Sequence, residues 1–201
     1  RRDGSSRFHK DSRWGTFWSL GANWIISNED FMKEYKFVNY LKLRADYGEV
    51  GNDAGAGYYA YQALYTMEQN ANKGALYLTQ FPSKNLKWET GQSWGIGVEA
   101  RLFNRWNLSM EYFDRRNKDL LFDVYLPLSS GATTSKYPES VVTKNLGTIV
   151  NRGFEVSTDV DVYKDKDWRV NVGANLTFIK NKVTKLPEQN KDGIIDGTKY
   201  I

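Results

Sequence analysis

Carboxylates recur on the polar side of several alternating segments, and paired carboxylates can perform acid–base chemistry. They are Glu89, Glu99, Glu111, Glu155 and Asp159. Glycoside hydrolysis needs two carboxyl groups about 5–10 Å apart with different pKa values, and nothing in the sequence pairs these residues in that way. We therefore predict that the chain is not an enzyme and has no catalytic residues. The carboxylates are instead expected to pair across strands with basic residues, namely Arg44, Arg101 and Arg169.

Tyrosines cluster in one segment that reads as a long loop. They are Tyr58, Tyr59, Tyr61 and Tyr65. Aromatic rings can stack on the faces of sugars, and binding residues gather on loops. The alternative is that the rings pack within the loop or against a protein that covers it. The sequence leaves both possibilities open. We predict that these rings, as a binding site, contact a ligand or the covering protein.

Two further clusters could bind ions. Arg115, Arg116 and Lys118 could contact phosphate groups, or they could pair with the neighbouring aspartates, and the sequence does not decide between the two. The segment from Asp192 to Gly197 resembles part of a cation-binding loop, but Ile194 occupies a ligand position and the late glutamate is missing. We interpret it as a turn. With no Cys and one His in the chain, we predict no metal site and no cofactor.

The elements that would position these side chains are long alternating segments. From Trp14 to Ile26 the even-numbered positions are apolar except Thr16, whereas the odd-numbered positions are mostly small or polar. Successive side chains of a strand point to opposite sides. Soluble strands run for about 5–6 residues, whereas a strand that crosses a bilayer needs about 9–11. The length of this segment therefore indicates that its apolar face meets lipid.

The alternation recurs in five more segments, which begin near Leu41, Trp88, Trp106, Phe154 and Trp168. The segment from Trp106 is expected to continue as one strand to about Val124. Residues from these segments and the first share one predicted environment, contact with lipid. They are Trp14, Trp18, Trp24, Trp94, Ile96, Trp106, Leu108, Val156, Val172 and Leu176.

Periodicity alone cannot separate a soluble sandwich from a membrane barrel, because both have one apolar face. Charges opposite the apolar face and aromatic residues near strand ends favour the barrel. Short turns at 103–105 and 163–167 alternate with long loops at about 48–87 and 125–148. We therefore predict an all-β fold of antiparallel up-and-down strands, about six in number, forming part of a large transmembrane β-barrel with its long loops outside.

Composition is compatible with that fold and excludes others. Mean hydropathy is −0.63, and the chain has no run of about 20 apolar residues, so it is not a helical membrane protein. Aromatic residues make up 15% of the 201 residues. The net charge of +4 is modest, and the aromatic residues are not interleaved with Lys and Arg. We therefore predict no nucleic-acid partner.

A series of short motifs, in order along almost the whole chain, resembles the outer-membrane barrel of SusC/RagA-type TonB-dependent transporters of Bacteroidetes. They are Arg1-Arg2-Asp3-Gly4-Ser5-Ser6-Arg7-Phe8, Arg13-Trp14-Gly15-Thr16-Phe17-Trp18-Ser19, Leu41-Lys42-Leu43-Arg44, Tyr47-Gly48, Gly51-Asn52, Asn85-Leu86-Lys87-Trp88-Glu89, the segment from Tyr112 to Leu121, and the segment from Asn145 to Glu155.

The resemblance implies a function. Residues 1–201 would form part of one barrel domain in the outer membrane of a Gram-negative bacterium, with the plug domain, the TonB-contacting segment and the closing strands outside this chain. Such proteins import glycans or peptides with a SusD-like surface lipoprotein and energy from the TonB complex. The polar face would line the lumen, and the residues expected there are Arg44, Glu89, Glu99, Arg101, Glu111, Glu155, Asp159 and Arg169.

A soluble all-β carbohydrate-binding or adhesin module is the alternative. It would use Trp and Tyr to stack on sugars, and it would bury most of Trp14, Trp18, Trp24, Trp94 and Trp106 in a core or along one sugar cleft. In the barrel the same residues face lipid or its interface. The environment of these tryptophans therefore separates the two hypotheses.

Overall fold

The computed structural model describes residues 1–126, 140–185, 194–195 and 198–199. Almost all regular structure in this part of the chain is β-strand. The strands are β1 (Arg2–Gly4), β2 (Trp14–Thr16), β3 (Ser19–Ile25), β4 (Val38–Asn52), β5 (Leu64–Asn70), β6 (Lys73–Gln80), β7 (Glu89–Leu102), β8 (Trp106–Lys118), β9 (Leu121–Leu126), β10 (Ser140–Asn145), β11 (Thr148–Lys164), β12 (Arg169–Lys185), β13 (Ile194–Ile195) and β14 (Thr198–Lys199). Two 3-10 turns, at Ile26–Asn28 and Asp30–Met32, follow β3.

One sheet of six antiparallel strands dominates the described structure, in the order β12-β11-β8-β7-β4-β3. Neighbouring strands of the sheet are consecutive in the chain among these six, which is the up-and-down topology predicted from the sequence. Five of the strands have 13 to 17 residues, more than twice the usual length in soluble proteins. None of the described residues forms a helix long and apolar enough to cross a membrane.

Cross-strand register keeps the apolar side chains on one face, here called the apolar face. Trp24 lies opposite Leu43, and Leu43 lies opposite Val98. The same row continues through Met110, Val156 and Leu176. Directly opposite residues have Cβ atoms about 5 Å apart and point to the same side. The row therefore forms a continuous apolar band across all six strands.

The next row along the strands points to the other side, here called the polar face. Arg44 lies opposite Gly97, which lies opposite Glu111. The row ends with Glu155 and Thr177. A shift of one residue in any register would exchange the two faces, so the alternation seen in the sequence and the pairing seen in the structure describe the same two-sided wall.

The first predicted strand is interrupted. The segment from Trp14 to Ile26 forms two strands: β2 pairs with β1, and β3 pairs with β4. The partner changes at Phe17, whose backbone N–H donates to the Arg1 carbonyl at 2.8 Å. The Phe17 ring is buried against Trp88 and lies over Gly51, where any Cβ would overlap it. Packing of one large ring therefore overrides the simple alternation.

The predicted strand from Trp106 to about Val124 is also interrupted. β8 ends at Lys118, and Asp119 adopts a positive φ of 54°. Non-glycine residues rarely adopt this left-handed conformation, and it turns the chain sharply. β9 then pairs with β10 outside the main sheet. The long loop before β7 likewise contains a hairpin, β5–β6, which the sequence analysis did not predict.

A buried cluster sits at the long-loop end of the sheet. Its members are Phe8, Ala56, Ala60 and Leu86, with Trp88 and Leu121 packed against them. The cluster ties the N-terminal segment and the loop after β4 to the ends of β7 and β9. It is the principal apolar core in the part of the chain that the structure describes.

Candidate functional site

A ladder of ion pairs runs across the middle of the polar face. Lys42 Nζ lies 3.2 Å from Glu99 Oε2, and Arg44 Nε lies 3.6 Å from Glu99 Oε1. Arg44 also donates to Glu111 on β8. Gly97 stands between these strands, and a Cβ there would lie 2.8 Å from Arg44 Nε. The missing side chain therefore allows Arg44 to reach across β7.

Two of the predicted carboxylates are brought together. Glu111 and Glu155 occupy directly opposite positions on β8 and β11, a proximity that sequence spacing could not indicate. Arg44 neutralises Glu111 from the other side. Like charges at directly opposite positions destabilise a sheet. The ion pair between Arg44 and Glu111 therefore offsets the repulsion between Glu111 and Glu155.

A second polar group lies at the short-turn end of the same face. Arg169 Nε donates to Asp161 Oδ1 at 2.8 Å, and Asn171 Nδ2 donates to the same oxygen at 3.0 Å. Asp159 accepts from Asn107 Nδ2 at 2.9 Å. Asp161 was not among the predicted site residues, although it is one alternation step from Asp159. The register shift between Asp161 and Tyr163 brings it within reach of Arg169.

The remaining predicted polar residues lie near the ends of β7. Arg101 donates to the carbonyl of Asn104 in the short turn at 3.3 Å. At the opposite end, Glu89 accepts from Asn52 Nδ2 and from the backbone N–H of Leu121, both at 2.6 Å. Glu89 therefore fixes the start of a long loop, whereas the ladder residues occupy the middle of the wall.

The N-terminal motif holds the loop that follows β4. Arg7 donates to the backbone carbonyls of Asp53, Ala54 and Ala56 at 3.1, 3.3 and 2.8 Å. Its guanidinium also lies 4.8 Å from the centre of the Tyr58 ring. A planar guanidinium is suited to several carbonyls at once because its N–H groups are fixed in a fork.

Asn145 performs a similar task between the long loops. Its side chain donates to the carbonyls of Lys87 and Asp119 at 2.7 and 2.8 Å and accepts from the Lys87 N–H at 2.8 Å. Trp88 Nε1 donates to the Arg13 carbonyl at 3.1 Å. These residues, with the buried cluster, form what we call the loop collar: Arg7, Phe8, Asp53, Leu86, Trp88, Glu89 and Asn145. The motifs that carry the resemblance converge here.

The predicted loop tyrosines differ in exposure. Tyr58, Tyr59 and Tyr65 are exposed, with 72%, 57% and 58% of their surface accessible. Tyr61 is half-buried and packs edge-on against His9. Tyr65 lies on the β5–β6 hairpin opposite Leu78. Three of the four rings are therefore placed to meet another molecule.

The residues predicted to meet lipid are mostly exposed. Within the main sheet they lie on the apolar face, and Leu108 and Val156 are the half-buried members of the set. Trp14 lies on β2, outside the main sheet, where the Arg2 guanidinium covers its ring at 5.0 Å. Trp18 directly precedes β3, and its carbonyl accepts from the Glu49 N–H at 2.9 Å. The sheet residues in this set are Trp24, Trp94, Ile96, Trp106, Leu108, Val156, Val172 and Leu176.

Aromatic rings mark both ends of the apolar face. Near the long loops, Trp18 packs on Tyr47 with ring centres 4.6 Å apart, and Trp94 packs on Tyr112 at 5.4 Å. We call these four residues the upper aromatic row. Near the short turns lie the residues of the lower aromatic row: Trp24, Trp106 and Trp168. Phe37 and Phe103 stack beside this row with centres 5.7 Å apart.

The basic cluster predicted on β8 is divided between the faces. Arg116 and Lys118 share the apolar side of the strand with Asp114, whereas Arg115 points to the polar side and covers the Phe113 ring at 4.7 Å. The described residues contain no group of three or more His, Cys, Asp or Glu arranged to hold a metal ion. Asp192 and Asp196, the acidic residues of the predicted turn, lie outside the described residues.

A sheet of long, consecutive antiparallel strands with one exposed apolar face, one charged face and aromatic rows at both ends is the wall of a transmembrane β-barrel. The chain belongs to the family described as TonB dependent receptor-like, beta-barrel, whose model matches residues 1–200. The resemblance inferred from the motifs is therefore confirmed.

Curated relatives agree with this assignment. The chain is 33% identical to the TonB-dependent receptor SusC of Bacteroides thetaiotaomicron over 194 residues, covering 92% of the chain and 19% of that protein. It is 32% identical to the TonB-dependent receptor P3 of Formosa agariphila over 192 residues, covering 94% of the chain and 18% of that protein. The chain thus spans about a fifth of the length of these relatives.

Solved structures give the same result. The RagAB peptide importer in its closed-closed state matches with a TM-score of 0.76 and 30% identity, over 92% of this chain and 20% of that one. The siderophore receptor PirA from Pseudomonas aeruginosa matches with a TM-score of 0.55 and 19% identity, over 88% of this chain and 30% of that one. The latter match shows the shared fold alone.

Proposed function

We propose that this chain is a wall segment of a TonB-dependent outer-membrane importer, with the apolar face in lipid and the polar face lining the lumen. The observation that carries this proposal is the long-stranded sheet whose exposed apolar face is bounded by two aromatic rows. In water such a face would be covered by a second layer. Among the described residues no second sheet covers it, which disfavours the soluble binding module.

The height of the apolar face fits a bilayer. From Trp168, which directly precedes β12, to Phe178 within it, alternate residues present mostly large exposed apolar side chains. Ten residue steps span about 33 Å along a strand. A tilt of about 40° reduces this to a band about 25 Å tall, the height typical of such barrels. Interfacial aromatic residues fit the edges of that band.

The lengths of the connections support one orientation of the wall. Short turns face the periplasm in such barrels, and longer loops face outside. The loop collar then lies at the extracellular rim, where it fixes the bases of the loops that carry Tyr58, Tyr59 and Tyr65. We propose that these loops contact the transported substrate or a SusD-like lipoprotein that covers the barrel.

The whole importer would take up oligosaccharides or peptides across the outer membrane of a Bacteroidetes-like bacterium. The names of the relatives, SusC and a peptide importer, support this class of cargo. Energy would come from the TonB complex through segments outside this chain. The polar face, with its ion-pair ladder, would line the lumen and contact the plug. We assign no enzymatic step, cofactor or metal to this wall.

Cysteine labelling of the full-length receptor in native membranes would test the proposal. These 201 residues contain no cysteine, so each introduced thiol within them is unique once any cysteine elsewhere is removed. Single cysteines at Ile96 and Val172 sample the apolar face, and Ser109 and Asn171 sample the polar face. Ser109 is preferred over Gly97, where a new Cβ would approach Arg44.

The first pair should react with a lipid-soluble maleimide and be protected from a charged one, whereas the second pair should react with the charged reagent. Protection of all four positions from both reagents would mean that the apolar face meets protein. Recovery of the receptor in the soluble fraction would also refute the membrane assignment.

A further inference from the structure

A buried carboxylate lies level with Trp94 of the upper aromatic row, on the lipid side of the wall. Asp114 occupies the position directly opposite Trp94, yet only 1% of its side chain is accessible. A charged group on this side needs strong partners, because burial of an unpaired carboxylate is costly. Two arginines, Arg116 and Arg152, are these partners, and both donate to the Asp114 carboxylate.

The two arginines clamp Asp114 from adjacent strands. Arg116 donates through Nε and Nη2 at 2.7 and 3.1 Å, and Arg152 on β11 donates through Nε at 2.6 Å. Both guanidiniums remain substantially exposed, at 38% and 52% of the side chain. The carboxylate thus holds two guanidiniums through Nε and Nη2 of Arg116 and Nε of Arg152, and these bonds do not use Nη1 of Arg116 or either Nη atom of Arg152.

Two lysines extend this cationic surface. Lys180 on β12 lies directly opposite Arg152, and Lys182 lies opposite Val150, the neighbour of Arg116. We call Asp114, Arg116, Arg152, Lys180 and Lys182 the outward basic cluster. It contains four cations and one carboxylate. Arg116 and Arg152 lie on interior strands of the sheet, because β8 and β11 are each paired on both sides.

The height of the cluster identifies its surroundings. The row immediately below Asp114 consists of Ile96, Tyr112, Phe154 and Phe178, which all lie on the apolar face. The cluster therefore begins level with the upper aromatic row, where charged side chains replace apolar ones on β8, β11 and β12.

We propose that the outward basic cluster binds the phosphate groups of lipids in the outer leaflet. Guanidiniums match phosphate geometry with two parallel N–H···O bonds. A phosphate group supplies the negative charge that one carboxylate does not provide for four cations. The site is continuous with the apolar face, so the acyl chains of the same lipid would lie on Tyr112 and Phe154. The proposal uses the membrane orientation given above and therefore rests on the proposed function.

The test compares lipid retention by the full-length receptor and its variants in detergent. The probes are lipopolysaccharide with intact lipid A phosphates and the same lipopolysaccharide after enzymatic dephosphorylation. Bound lipid is counted by native mass spectrometry. The test variant is Arg116→Gln/Arg152→Gln. The matched control is Arg115→Gln/Lys144→Gln, which removes the same charge but leaves the outward basic cluster intact.

We expect the wild type and the control to retain the phosphorylated lipid, and the test variant to lose about tenfold in affinity. The wild type should bind the dephosphorylated lipid no better than the test variant does. Equal retention by the test variant and the wild type would overturn the proposal. Equal loss in the control would do the same, because only net charge would then matter.

A second variant keeps the experiment decisive if removal of both arginines prevents folding. Arg116→Lys/Arg152→Lys keeps both charges beside Asp114 but loses the planar forks. Its retention should fall several-fold, and retention equal to that of the wild type would refute the proposal. Cysteine labelling of the apolar face in the same variants distinguishes failure of the lipid-phosphate site from failure of the membrane assignment. If the apolar face is labelled by the lipid-soluble maleimide but the variants retain phosphorylated lipopolysaccharide as the wild type does, the phosphate-binding site is refuted and the membrane assignment stands.

Discussion

Arg7 shows how one side chain can organise a loop that lies far from it in sequence. It holds three carbonyls of residues 53–56, and the resemblance motif contains it without revealing this task. We predict that Arg7→Ala speeds backbone hydrogen exchange across residues 53–60, because three charge-assisted bonds are lost. Exchange measured by mass spectrometry on the full-length receptor checks this, with the exposed Lys10→Ala as the control. Unchanged exchange in Arg7→Ala would show that the Arg7 hydrogen bonds do not hold this loop.

The glycines of β3 and β4 offer a matched pair. A Cβ at Gly51 would overlap the buried Phe17 ring, whereas nothing lies within 4 Å of one at Gly21. We predict that Gly51→Ala lowers the free energy of unfolding by about 1–3 kcal/mol, the range for overpacking. Gly21→Ala should leave it nearly unchanged. Urea unfolding of the receptor in lipid vesicles compares the two, and equal effects would show that Phe17 moves freely.

Phe8 is the side chain that closes the buried cluster, with none of its surface accessible. Its ring packs on Trp88 with centres 5.4 Å apart. We predict that Phe8→Ala destabilises the loop collar by about 3–5 kcal/mol, as for other buried phenylalanines. Local protection from hydrogen exchange should fall at residues 86–88 but not in the middle of β8. Global unfolding of the whole sheet would indicate that the collar and the wall form one cooperative unit.

At the scale of elements, the loop tyrosines and the wall behave differently. Tyr59 and Tyr65 are exposed at the long-loop end, and Tyr163 is equally exposed at the short-turn end. If the long loops meet substrate or lid, Tyr59→Ala/Tyr65→Ala should reduce uptake by the full-length receptor several-fold, because exposed rings supply much of the contact energy at binding surfaces. Tyr163→Ala should leave uptake unchanged. A loss in Tyr163→Ala alone would reverse the assigned orientation.

The alternation from Trp94 to Leu102 and from Val170 to Phe178 predicted both faces, because a barrel wall imposes the same period of two on every residue. The interruptions at Phe17 and Asp119 were not predictable. The first depends on a ring that fits over Gly51, and the second on a positive φ at a non-glycine residue. Both are tertiary effects that leave no periodic signal.

The candidate site was predictable to a similar extent. Arg44, Glu99 and Glu111 share a face by parity alone, so their pairing was expected. The opposition of Glu111 to Glu155, and the approach of Arg152 to Asp114, depend on the register between β8 and β11. Register is set by turn geometry and by the match of faces across strands, which a single sequence does not specify to one residue.

At the scale of the whole molecule, the six-stranded sheet has two edges, β3 and β12. Unpaired edges recruit other strands. We therefore predict that residues 1–201 produced alone do not form a monomeric barrel wall in detergent but associate through these edges. Size-exclusion chromatography with light scattering checks the mass, and the full-length receptor serves as the control. A stable monomer with native-like strand content would contradict this expectation.

The backbone hydrogen bonds that join β7, β8 and β11 also have a mechanical consequence. Thirteen residue pairs join β7 to β8, and thirteen join β8 to β11, without a register shift. The rungs of an antiparallel ladder lie perpendicular to the strands. A pull along the strand direction therefore loads all of them together, whereas a sideways pull would open them one at a time. In the proposed importer, whose strands tilt by about 40° from the barrel axis, this patch of wall would resist most strongly the component of an inward pull on the plug that acts along the strands.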